Sequence, residues 1–488
     1  MKHIGILSFF VAAIAATTAQ SATNAPARRT MSLADCVQEA LSHNFDVQVQ
    51  RINPQISLYN LDATYSGYDP TFSFSGQHDN KVSTSKIEPR TSTADSFNSG
   101  ISGVAGPWGP QYSLSSSLSQ SDLNYHPNGS SANVSLTLTQ PLLKNFWIDS
   151  TRLSIRVAKN RLKYSEQGLR QQLITSVTAV ANAYYELIYA QQNVEVQQQS
   201  LDRAQTQLDQ DNQRVQIGTM AILSVQQDES QVAQNKASLI AAQSTLATDQ
   251  NTLKNLLTDN YSQWHDIDIQ PTETLQALPQ TFNLQESWTK GMTKRPDLLQ
   301  TKLNMEQQGL QLKYDRNQLF PELDIVNSYG FSGAGTVYEN SVDQTREGNA
   351  PNYYIGAKLS TPVGNLGPRN QYKAAKASLQ QIELQFKQLQ QNIMVEIDNA
   401  VKVAESDYQS VQATKQARIY AEAALDAEQK TYAVGKATTF EVLTYQNNLT
   451  AARLNEISAL ARYNEALAAL AQQEGTTLQQ HNINIEAK

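Results

Sequence analysis

One cysteine, Cys36, stands in 488 residues, which excludes an intrachain disulfide and a multi-cysteine metal site. Charge is also sparse, at 17% of residues with a net charge of -7. Nucleic acid is a poor partner for such a chain, because phosphate neutralisation needs clustered Lys and Arg and none occurs. The histidines, His3, His43, His78, His126, His265 and His481, lack metal-ligand spacing. Neither a cofactor nor catalysis is expected. Two lookalikes of catalytic motifs fail on context: "GFSGAG" at Gly330 lacks nucleophile-elbow spacing and reads as a barrel turn. "VGKATT" at Val434 resembles the end of a phosphate loop but has neither the upstream glycine nor a preceding strand.

Long apolar runs are missing beyond the N-terminus, so no spanning helix is predicted. A chain of this kind enters a membrane only as a closed β-barrel. The N-terminus itself reads as an export signal: Lys2 and His3, an apolar run from Ile4 to Ala16, then small residues to Ala25. Cleavage after Ala19, Ala22 or Ala25 fits, and residues 1–25 are assigned to signal and leader. Leu33-Ala-Asp-Cys36 imitates a lipidation box. Asp35 before the cysteine argues against it, and a small buried helix residue is the better reading of Cys36.

What the chain does have is a tandem repeat. "SLADCVQEALSHNFDV" at Ser32 aligns with "NLQESWTKGMTKRPDL" at Asn283, and the same offset of 251 carries Pro70 onto Pro321. Pro141 matches Pro362, and Gly218 matches Gly435 at offset 217, leaving about 30 extra residues between the first copy's two prolines. Repeat one is therefore 26–270, repeat two 283–475, with a linker at 271–282 and a tail at 476–488. In each copy Ser32 or Asn283 caps a helix with an acid three residues on, and that helix runs to Pro70 or Pro321, where proline ends helical geometry. Alternating strands follow, within 71–140 and 322–361, with Val134, Leu136 and Leu138 or Tyr353, Ile355 and Leu359 on one face. The four prolines mark the helix–strand junctions.

Proline is then absent from Leu142 to Gln270 and from Arg369 to Lys488. A helix from Asp149 to Gln216 would measure roughly 100 Å at ~1.5 Å per residue, too long for one globular domain to enclose. Gly218 and Gly435 must be the turns that join such rods antiparallel. The apolar row Leu389, Ile393, Ile397, Val401 is narrow and flanked by Gln and Asn, which suits a wall one helix thick. A plain antiparallel coiled coil, as in a periplasmic adaptor or scaffold, is the alternative. The repeated strand block disfavours it.

"SLADCVQEALSHN", "RPDLLQTKLNMEQQGLQLKYDRNQLFPELDIVNSYGFSG", "TQPLL" and "YAVGKATTFEVLTYQNNLTAARLNEISALARYNEALAAL" resemble the TolC-type outer-membrane factor family across essentially the whole mature chain. The resemblance implies a mainly helical protein with membrane β structure: long hairpins forming a tunnel, and strands lent to one barrel shared by a homotrimer in the Gram-negative outer membrane. It implies an exit duct for a tripartite efflux pump or type I secretion system, with a periplasmic adaptor and inner-membrane transporter as partners. Four strands per chain are too few for a barrel, whereas twelve from three chains suffice; the extra segment is either a further hairpin or longer loops. By resemblance Glu441 falls at an entrance-ring carboxylate and Tyr432 at a linking tyrosine, with ring crowding expected to raise the acid's pKa. Ser224 replaces the linking aspartate, Ala437 the arginine and Thr444 a second ring acid. Asp228, one turn beyond Ser224, is the candidate substitute charge. Gly218, Thr219, Gly435 and Lys436 form the tips that would dock the adaptor.

Overall fold

The computed structural model describes residues 27–84, 90–106, 109–124 and 126–483; the export signal and its cleavage site lie outside them. Strand β1 (Ala27–Met31) leads to Ser32, whose hydroxyl accepts from the Asp35 N–H while the Asp35 carboxylate accepts from the Ser32 N–H, opening α1 (Leu33–His43). The helix expected to run on to Pro70 is broken at Asn44. That residue is extended, and its side chain caps α2 (Phe45–Thr64) by accepting from the Asp46 and Val47 N–H groups. A short 3₁₀ turn, Tyr65–Tyr68, precedes Pro70. Four strands follow, β2 (Thr71–Ser83), β3 (Arg90–Val104), β4 (Gln111–Leu123) and β5 (His126–Pro141). Next come the rod α3 (Ser150–Gln216), its return α4 (Ile222–Leu257), the turn α5 (Tyr261–Trp264) and β6 (Ile267–Pro271), which pairs parallel with β1.

The second copy repeats this order. Asn283 caps α6 (Leu284–Lys294), although Glu286 turns to Lys290 at 2.8 Å instead of closing a box. Arg295 breaks the helix as Asn44 does, here because the residue before a proline is pushed out of helical geometry, and α7 (Pro296–Asn317) begins with that proline. Then follow β7 (Glu322–Gly335), α8 (Tyr338–Glu347), β8 (Pro351–Ser360), α9 (Leu366–Ala433), α10 (Thr439–Glu474) and α11 (Thr477–Gln480). The stretch 476–483 is not a loose tail, since Leu478 is buried in the main core.

Rods α3 and α9 have 67 and 68 residues, or about 100 Å at ~1.5 Å per residue. Each is flanked by two shorter helices laid end to end. The Asn44 side chain donates to Leu256 O at 3.0 Å, so α2 begins where α4 ends, and Arg295 reaches Gln473 at 2.8 Å, so α7 begins where α10 ends. The core sits at these junctions, around Cys36, Val47, Tyr184, Leu187 and Ile269 in one repeat and Leu298, Ile393 and Ile397 in the other. Burial drives the Cys36 thiol up to about 12, which makes it a packed residue without nucleophilic chemistry.

Among the described residues one sheet holds six strands in the order β2-β3-β4-β5-β7-β8, every neighbour antiparallel. The count is six, not four: the extra segment supplies hairpin β3–β4, paired along its length on both sides. The register places Phe72, Ile101, Leu114, Leu136 and Tyr329 on one face. On the other, Ser115 meets Ser135 at 3.0 Å and Thr137 meets Ser328 at 3.0 Å. Such a division is what lipid outside and water inside require. Exposed Trp147, Phe320, Val363 and Leu366 lie in or beside the connections between the sheet and the helices, where interfacial aromatics such as Trp147 and Phe320 belong.

"GFSGAG" is not a turn. It lies within β7, and a Cβ on Gly333 would come within 2.1 Å of Ser341 O. Its glycines let α8 lie against the apolar face, where Ser341 bonds Ser130 at 2.8 Å and Thr345 donates to Ala132 O at 3.2 Å.

Candidate functional site

Both hairpin tips close by the same local chemistry. Thr219 N–H donates to Arg214 O and Gly218 N–H to Val215 O, each at 2.9 Å, while Lys436 N–H donates to Thr431 O at 3.1 Å and Gly435 N–H to Tyr432 O at 3.0 Å. Gly218 and Gly435 have φ of 78° and 73°, with no atom within 4 Å of a built Cβ. Glycine is required there for left-handed backbone and not for space. Ile217, Ile222, Leu223, Val434 and Phe440 are exposed around the two turns, alongside exposed Thr219 and Lys436.

One turn above the tips, α9 turns Tyr432 inward onto Asp211 of α3. The tyrosine hydroxyl donates to the Asp211 carboxylate at 2.6 and 2.5 Å, Thr439 donates at 3.2 Å and the Gln207 side chain at 3.0 Å. The Arg214 guanidinium lies 4.5 Å from the centre of the Tyr432 ring and 3.7 Å from Asp211, adding a cation–π contact. Burial first, and the bond to Asp211 second, push Tyr432 up to about 12.

Asp228 on α4 completes the cluster. It is wholly buried, neither oxygen receives a donor among the described residues, and its carboxylate faces Asp211. Two carboxylates in that position are satisfied only when a proton lies between them. Burial, then the Asp211 neighbour, raise Asp228 to about 7. Asp228, the candidate substitute for the linking aspartate, is thus an interior group beside the Tyr432–Asp211 bond.

Glu441 is exposed and closes a capping box on α10, accepting from the Thr438 N–H at 2.7 Å and the Thr438 hydroxyl at 2.9 Å. Those bonds hold its carboxyl below the usual range. Ser224 is half-buried, and Thr444 spends its hydroxyl on Phe440 O at 2.8 Å. The site therefore gathers Tyr432 and Asp228, and leaves Glu441, Ser224 and Thr444 outside the cluster. Gln207, Asp211, Arg214 and Thr439 are the members that sequence reasoning missed. Among the described residues no group of three or more His, Cys, Asp or Glu is placed to hold a metal.

A sheet with one wet and one greasy face, carried on helical hairpins about 100 Å long, defines an outer-membrane channel protein. Residues 104–258 and 292–476 match the family described as outer membrane efflux protein, and the chain belongs to that family. It is 24% identical over 400 residues to outer membrane protein TolC of Escherichia coli K12, covering 79% of this chain and 78% of TolC. It is 22% identical over 327 residues to outer membrane efflux protein BepC of Brucella suis, covering 67% and 68%. The fold is similar to the outer-membrane channel OprN, with a TM-score of 0.69 at 16% identity, covering 91% of this chain and 90% of that one. This chain is an outer-membrane efflux channel, and the adaptor alternative is not favoured.

Proposed function

We propose that three copies assemble into one duct, their sheets joined in the outer membrane and their hairpins forming a tunnel through the periplasm. The tips meet a periplasmic adaptor that links the duct to an inner-membrane transporter. Cargo moves passively through a water-lined bore and the transporter supplies the energy. The observation that carries the reading is the pair of unpaired sheet edges, β2 and β8, on a chain whose rods expose polar surface along most of their length. Exposed apolar residues at both tips give the adaptor a surface to cover.

The tunnel is shut where Tyr432 ties α9 to Asp211 on α3, and Asp228 carries the shared proton. Glu441, repeated three times around the axis, sets a negative potential at the entrance. Opening separates Tyr432 from Asp211 as the hairpins shift between two packings. Tyr432→Phe removes the tie and keeps the ring, so single-channel conductance in planar bilayers should rise several-fold. Unchanged conductance, with trimers intact on a gel, would place the restriction elsewhere.

A further inference from the structure

Hairpin β3–β4 lies in the middle of the sheet, not at its rim. Strand β3 pairs from Thr71↔Ser102 to Ser83↔Arg90 on one side and from Ser92↔Leu123 to Val104↔Gln111 on the other. It keeps the two-faced pattern, with Phe97 opposite Leu118 and Ile101 opposite Leu114 on the apolar face. Two strands together preserve the up-and-down alternation, so β2 still leaves the helices and β8 still returns to them.

Among the described residues both edges, β2 and β8, are open. Phe72, Phe74, Tyr353, Ile355 and Leu359 are 67–79% exposed, whereas Leu114, Leu136 and Leu138 on the same face of inner strands are 43–44% exposed. The difference is the cover of one missing neighbour. Strand β8 of one copy runs antiparallel to β2 of the next and presents its apolar side chains on the same face. Six strands do not enclose a bore, since about eight are needed merely to surround packed side chains.

We infer that the occupant of each edge is a second copy of this chain, and that the closed wall has eighteen strands, six from each of three copies. The inference rests on the threefold assembly proposed above. Barrel diameter grows about linearly with strand number, so the mouth is roughly half again as wide as a twelve-stranded one and falls in the range of barrels with an open aqueous channel. Its inner wall carries hydroxyls such as Ser115, Ser135, Ser119 and Ser131, neutral and hydrogen-bonding. A wide hydroxylated exit suits bulky hydrophilic cargo, and selection falls to the helical end.

The test is cryo-electron microscopy of the purified native assembly beside a variant lacking residues 90–123, with native mass spectrometry of both. Eighteen strands in the wild type, twelve in the deletion and three copies in each are expected. From the extracellular side, neutral polymers should enter the wild-type mouth at a larger size cutoff. A three-copy wild type with a twelve-stranded wall and the hairpin outside it overturns the inference and leaves the assembly standing. A mass other than three copies overturns the assembly itself. If the deletion variant fails to assemble, the wild-type strand count alone decides.

Discussion

Asp228 couples the tip to proton concentration. Its pKa in the fold lies at about 7 against 3.8 for the free side chain, so the folded state holds a proton that the unfolded chain has given up. That stabilisation is fully present below the unfolded value and is lost as pH rises through about 7. Arg214 and Tyr432 are the other titratable groups facing the Asp211–Asp228 pair, and Tyr432, held up at about 12, stays neutral through that window. Amide protection at the tips, corrected for the intrinsic base-catalysed rate, should fall as pH rises from about 4 to about 7, and Asp228→Asn, which keeps the shape and a donor, should flatten the dependence. A variant that still loosens with pH would remove Asp228 from the account. Glu441 acts differently because it faces solvent: Glu441→Ala should weaken cation preference in planar-bilayer recordings, and unchanged ion selectivity would reduce it to a helix cap. The gap between what the sequence tells and what the fold adds is sharp here. Tyr432 is found through the family resemblance of "YAVGKATTFEVL". Asp211 is not, because it sits among Gln and Asp in a polar helix, and its partner is 221 residues away.

Elements were legible where a residue type forces geometry. Gly218 and Gly435 announce left-handed turns and the proline-free runs announce α3 and α9, whereas the break that Pro296 imposes at Arg295 is absent from the unbroken helix expected up to Pro321. Asn44 gives the equivalent break in α1–α2 a capping motive only once Val47 is seen buried behind it. Helix α8 was invisible. Its sequence, "YENSVDQTRE", has no apolar stripe, and it adheres through Ser341, Thr345 and the bare backbone of Gly333. Gly333→Val should therefore lift α8 from the sheet, since even a Cβ meets Ser341 O at 2.1 Å. Faster tryptic cleavage after Arg346 in intact outer membranes is the expected readout, with conductance unchanged. Equal cleavage in both proteins would show that α8 holds by other contacts.

At the scale of the whole molecule, the two-copy plan was readable because offsets of 251 and 217 survive any local ambiguity, whereas the membrane class came with the family resemblance, since alternation alone suits a half-buried soluble sheet equally well. The strand count was not readable: serine-rich "QYSLSSSLSQSDL" alternates Leu with Ser too thinly to separate a wall strand from an extracellular loop until its register is known. An assembled duct should fractionate with outer membranes and migrate on gels as a heat-modifiable trimer. Recovery of a soluble monomer from the periplasm would defeat the threefold reading. The placement of β3–β4 also bears on how such ducts diversify. In the threefold assembly proposed above, a single hairpin inserted in the gene is multiplied by symmetry, so the calibre of the mouth changes in coarse steps while α3 and α9, and the tip surface offered to the proposed adaptor, stay untouched. Selection on outlet size is thereby uncoupled from selection on docking.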